Sequence, residues 1–239
     1  MTDCLTMPTS IDLASGEARP VVRSGNRHLC ELRVGSATEH RAADFIRRRF
    51  QQAYGARPNL QLPPLVALVS GHGTLLAAVG VRSAAAQRLF LEDYLDAPVE
   101  ACLPEACASR NAVVEIAHLA GVESGISRPL FASLAVWLRQ SGWEWVVCTG
   151  TTQLRNGFRQ IGIGLSDLGA ADPARLVGAA RSWGTYYQCQ PRVLAINVPQ
   201  SVDSLRAAGL LRQVESIERS ASTAERALPT TGGGYGHTA

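Results

Sequence analysis

Between residues 28 and 198 the apolar residues switch repeatedly between a period of two and a period of 3.6, and this restricts the chain to folds in which helices cover a sheet. His28–Val34 alternates as a strand. Ser36-Ala-Thr-Glu39 is a capping box that opens a helix to about Tyr54, with Ala42, Phe45, Ile46, Phe50 and Ala53 as its apolar stripe. Pro63-Pro64 leads into Leu65–Ser70, a Gly-His-Gly turn and Thr74–Arg82, which together predict a hairpin.

Residues 83–109 hold two short helical segments, RLFLEDYLD and VEACLPEACA, before the strand Asn111–Leu119. Ser127 is placed to cap a helix with Pro129 in its first turn and Leu130, Phe131, Leu134, Ala135 and Leu138 on its apolar face, ending at Gly142. Trp143–Thr149 reads as a buried strand, Gln153–Ile161 as a short helix, and Asp172-Pro173 as the start of a helix through Trp183. Arg192–Val198 is a last strand and Ser201–Ser216 a closing helix. Residues 1–26 and 219–239 lack periodicity and are expected to be disordered tails around a single domain, 27–218.

All 23 Lys and Arg residues are Arg, which removes a Schiff-base lysine, a lysine nucleophile and a phosphate loop built on Lys. A net charge of +3, with the run Arg47 to Arg49 read as a solvated helix face, gives no nucleic-acid signature. The six cysteines show no CxxC and no His at zinc spacing, so no metal site is expected and a reducing, cytoplasmic setting is. MTDCLTMPTS has neither the basic start nor the apolar stretch of a signal peptide, and no run suggests a membrane span.

The segments LFLEDYLDAPVE, VVEIAHLAG, WVVCTGTTQLRNGFRQIGIG, ADPARL and WGTYYQCQPRV follow one another in an order that resembles the thermostable haemolysin family. The likeness covers about residues 28–198. It implies an α/β, GNAT-like acyltransferase fold, a mixed central sheet flanked by helices, related in shape to the acyl-homoserine lactone synthases. The implied activity moves an acyl group from acyl-CoA or an acyl carrier protein, as cosubstrate with no permanently bound cofactor, to the amine of a small metabolite or amino acid. A catalytically inactive binding module and a membrane-active haemolysin are the two alternatives.

In GNAT enzymes a strand splays from its neighbour and the following helix N-terminus takes the CoA pyrophosphate. The matching stretch here offers Leu119, Ala120, Gly121, Gly125, Ser127 and Arg128, either as a phosphate site or as an ordinary glycine-containing loop with a capped helix. The GNAT glycine pattern is absent from it, and Phe158 stands where many GNAT enzymes carry the Tyr that protonates the leaving thiolate.

Glu115 and His118 are the candidate bases. Spaced three apart in a strand, they should point to opposite faces, so that only one meets a given cleft. A carboxylate in the run VVEIA must be paired or functional: Glu115 is a base or ammonium anchor, or else salt-bridged to Arg128 or Arg155. Thr149, Thr152, Arg155 and Asn156 are substrate-pocket candidates beside a helix start that Thr151 or Thr152 would cap. Trp183, Tyr186 and Tyr187 would line an acyl pocket or pack the core, and Tyr186 or Tyr187 could supply the missing acid.

Overall fold

The computed structural model describes residues 8–57, 62–104, 109–122, 125–176 and 180–217. Nine strands form one sheet: β1 (Ala18–Ser24), β2 (Arg27–Leu32), β3 (Leu65–Ser70), β4 (Leu75–Ser83), β5 (Val113–Gly121), β6 (Trp145–Gly150), β7 (Ser166–Ala170), β8 (Arg192–Asn197) and β9 (Val214–Ser216). Their order is β7-β8-β6-β5-β4-β3-β2-β1-β9. Every neighbouring pair is antiparallel except β5 with β6. Five α-helices complete the frame: α1 (Ala37–Tyr54), α2 (Val99–Cys102), α3 (Ser127–Gln140), α4 (Thr152–Gln160) and α5 (Val198–Ala207).

Alternate residues of each strand feed different layers. Leu29, Val79, Val81, Val114 and Ile116 pack under α3 and α5. Cys30, Ala67, Val69, Ala78 and Ala120 pack under α1, whose Ala42, Phe45, Ile46 and Phe50 are buried as the stripe requires, while Ala53 is exposed. α1 and α3 therefore lie on opposite faces of the sheet. At the start of α1, Ser36 Oγ accepts the Glu39 N–H at 3.1 Å, but the Glu39 carboxylate accepts from Gly35 at 2.6 Å rather than from Ser36, a capping box displaced by one residue.

Several sequence expectations are corrected. Residues 18–24, read as part of a loose tail, form β1, paired with β2 through a bulge near Pro20 and with β9. The closing helix stops at Ala207, and the rest of that stretch turns into β9. Asp172 does cap, accepting the Ala174 N–H at 2.9 Å, but only a 3-10 turn, Pro173–Arg175, follows. The strand β7 was not anticipated. The cap of α3 is Ile126, with Ser127 the first helical residue and no side-chain cap bond. The expected tail at 219–239 lies outside the described residues.

The insertion after β4 is a 3-10 turn, Phe90–Tyr94, followed by α2. Buried Glu92 fastens it, accepting from the Leu89 and Val99 N–H groups at 2.8 and 3.0 Å and from Arg110 at 2.7 Å. The Arg110 hydrogen bonds lead in holding the Glu92 carboxyl down at about 2.

Candidate active site

The ladder between β5 and β6 holds three residue pairs, Val113 with Trp145, Val114 with Val146 and Glu115 with Val147, and then stops. Beyond it β5 stays paired to β4 as far as Gly121, and β6 to β8 as far as Gly150. The two parallel strands fork, and from Ile116 onward the edge of β5 that faces β6 has no strand partner. A cleft of about 520 Å³ occupies the fork and reaches α1 on one face and the start of α3 on the other.

His118 has φ 54, and there the β4–β5 register slips: Gly80 pairs with Ala117 but Ala78 with Ala120. One extra residue in β5 resets the inward and outward alternation. The expectation that only one of Glu115 and His118 could meet the cleft therefore fails, and both line it.

Glu115 is buried and engaged on both oxygens. Arg82 Nη1 donates to Oε2 at 2.9 Å, Phe90 N–H to the same oxygen at 3.2 Å, and Leu91 N–H to Oε1 at 3.1 Å. Its ion-pair partner is thus Arg82, directly across the β4–β5 ladder, and not Arg128 or Arg155. Burial pushes its carboxyl up against the opposing pull of Arg82 and the two N–H groups. Burial, seconded by the Arg82 charge, holds the His118 imidazole down at about 4, so the ring is neutral at pH 7. It lies over Trp183, centroids 6.5 Å apart and 20° between planes, with Phe50 edge-on at 6.3 Å.

The aromatic wall depends on one glycine. At Gly184, φ 54, an added Cβ would stand 2.0 Å from the Tyr54 carbonyl oxygen. Only a residue without one lets the chain lie this close to the end of α1, where the Thr185 N–H reaches that oxygen at 2.9 Å. Trp183 and Tyr186 are thereby pressed on Phe50 and Tyr54, with centroids 5.2 to 6.4 Å apart. Burial keeps the Tyr186 phenol protonated well above its usual range.

A second, apolar cavity of about 80 Å³ lies on the α3 face, floored by Leu138, Ile196, Val198 and Ser201. Ile116, His118, Leu119, Phe131, Thr149 and Leu154 line both spaces, so the fork connects them. Phe158 lines the apolar cavity and packs on Phe131 at 4.5 Å.

Of the residues singled out from sequence, Glu115, His118, Tyr186, Leu119, Ala120, Gly121, Ser127, Thr149 and Trp183 meet at the cleft. Gly121, expected in a loop, is the last residue of β5. Gly125, Arg128, Thr152, Arg155, Asn156 and Tyr187 are not among the lining residues. Arg128 and Asn156 are exposed, Arg155 donates to Thr152 Oγ1 at 2.8 Å, and the Tyr187 hydroxyl is 2.7 Å from that of Tyr94. Thr151 is the α4 cap and also lines the cleft. Arg49, Phe50, Tyr54, Phe90 and Tyr94 line it too, unforeseen. A clue lay in Arg49 itself, which, four after the buried Phe45, stands one turn along the apolar stripe rather than opposite it.

A mixed sheet forked between its parallel strands, with a bulge beside the fork and a helix opening at its mouth, defines a GNAT-like acyltransferase fold. FeeM, an N-acyl amino acid synthase from uncultured soil microbes, shares this fold at 15% identity and a TM-score of 0.52, over 80% of this chain and 98% of that one. TofI, crystallised in a ternary complex with an inhibitor and MTA, shares it at 17% identity and 0.50, over 76% and 96%. No curated protein matches the sequence. The chain belongs to the thermostable hemolysin family, whose sequence model matches residues 32–202.

Proposed function

We propose that this protein transfers an acyl group from a thioester, carried by coenzyme A or an acyl carrier protein, to the amine of a small metabolite or amino acid. The observation that carries the reading is the fork, which joins a polar-edged cleft to an apolar cavity behind it. The amide groups of a pantetheine arm suit the partnerless edge of β5, where backbone donors and acceptors need satisfying. The acyl chain fits the apolar space under α3, and N–H groups near Leu119 to Gly121 polarise the thioester carbonyl. The likeness to an N-acyl amino acid synthase supports the same reading.

The amine attacks the thioester carbon, a C–N bond forms, the C–S bond breaks, and the amine proton leaves as the thiolate is protonated. Glu115, committed to Arg82 and two N–H groups, positions Phe90 and the strand end. His118 is neutral and accepts a hydrogen bond from the incoming amine. Tyr186 stays protonated and is the cleft hydroxyl suited to return a proton to sulfur, a part that Phe158 has no group to play.

Purified protein given decanoyl-CoA, or decanoyl carrier protein, with a mixture of amino acids and amines should release free thiol and form an N-decanoyl product detectable by mass. Because no cleft group is poised near neutrality, kcat/KM should climb through the acceptor's own amine pKa without a protein inflection near pH 7. The absence of both product and saturable donor binding would overturn the reading, while binding without turnover would favour an inactive module.

A further inference from the structure

Arg49 is the one Lys or Arg among the described residues lining the cleft. It projects from α1, hence from the face opposite α3. Its Nη2 donates to the Val122 carbonyl at 3.0 Å and its Nη1 to Gln52 Oε1 at 3.2 Å. These two bonds fix the guanidinium plane and leave other N–H groups of its five for an anion. No carboxylate among the described residues forms an ion pair with it.

Next to it on α1, Phe50 meets Trp183 and Tyr186, with the three centroids 5.3 to 6.4 Å apart. A fixed cation beside a wall of rings, with neutral His118 between wall and fork, presents three kinds of contact at once: for an anion, for a planar or bulky apolar group, and for an amine. The donor's arm and chain fill the fork and the α3 side, so this corner belongs to the acceptor.

We infer that the acceptor is an amino acid with an aromatic or large apolar side chain, its carboxylate on Arg49 and its side chain against Phe50, Trp183 and Tyr186. This deepens the transfer reading and rests on it for the reacting amine. Recognition of the carboxylate by a bidentate, charge-assisted pair separates such a substrate from the amine lacking it.

The test compares L-phenylalanine with 2-phenylethylamine, the same molecule without its carboxylate, using decanoyl-CoA as donor. The wild type should favour phenylalanine about tenfold or more in kcat/KM, as expected of one charge-assisted hydrogen bond. Arg49→Gln should bring that ratio close to one through the acceptor's KM, and Arg49→Lys should restore part of it. Equal use of both amines by the wild type would overturn the inference. So would an Arg49→Gln effect confined to the KM for decanoyl-CoA, which would give Arg49 to the donor's phosphates. Calorimetric titration with CoA present separates this failure from failure of the transfer reading. If no thioester turns over but the wild type binds phenylalanine, and Arg49→Gln does not, the Arg49 assignment stands alone. No phenylalanine binding by the wild type sinks it.

Discussion

Glu115 shows how far one residue can be read from its neighbours in sequence. Its place in the apolar run VVEIA signals that the charge must be satisfied, and it is, with three donors. That the satisfying cation is Arg82 was illegible, because the pairing of residue 82 with 115 depends on a bulge that no periodicity announces. Removing the carboxylate strands a guanidinium whose side chain is 11% exposed. Glu115→Ala should cost about 3–5 kcal/mol in urea unfolding, and Glu115→Gln, which can still accept from the Phe90 and Leu91 N–H groups, less. Gly184→Ala should likewise cost at least about 2 kcal/mol, since its Cβ would overlap the Tyr54 carbonyl, and the tryptophan fluorescence of Trp183 should change with it. The bulge at His118 hid in the same way: a strand written as a strict alternation sends residues 115 and 118 apart, and a single residue with positive φ brings them together.

At the scale of elements, the long periodic pieces were legible and the short ones were not. α1, the β3–β4 hairpin, β5, α3, β6 and β8 lie within a few residues of their expected spans, because each buries a long apolar face. β7, with SDLGA, and β9, with VES, are three to five residues long and carry little apolar signal; they exist because a neighbour offers an open edge. β1 was obscured by Pro20 and its bulge. α4 allows a test of the fork that separates stability from function. A Cβ on Gly157, which lines the cleft, would meet nothing within 4 Å. Gly157→Leu should therefore keep the fold and raise stability by up to about 1 kcal/mol from helix propensity. It should also weaken donor binding about tenfold or more by filling the fork, a combination that melting curves and calorimetry with decanoyl-CoA would reveal together.

Across the whole molecule, two buried groups set how it responds to acid. His118 titrates near 4 in the folded chain against an ordinary 6.5, so between these values the unfolded chain binds more protons and stability falls as the pH falls. Glu92, held at about 2 chiefly by Arg110, contributes stability that is present above its ordinary 4.5 and is lost as the pH drops toward 2. Melting temperatures taken from pH 7 to pH 3 should decline throughout. His118→Asn, which tolerates positive φ without a titrating ring, should flatten the portion between 6.5 and 4.

The sheet is also a partition with a window in it. If tail and head groups are delivered from its two sides, the newly joined molecule straddles the partition, longer than either piece that entered. It can depart only by drawing its tail back through the window, so an oilier tail makes a slower exit, and turnover by such a catalyst would be paced by unthreading rather than by bond making.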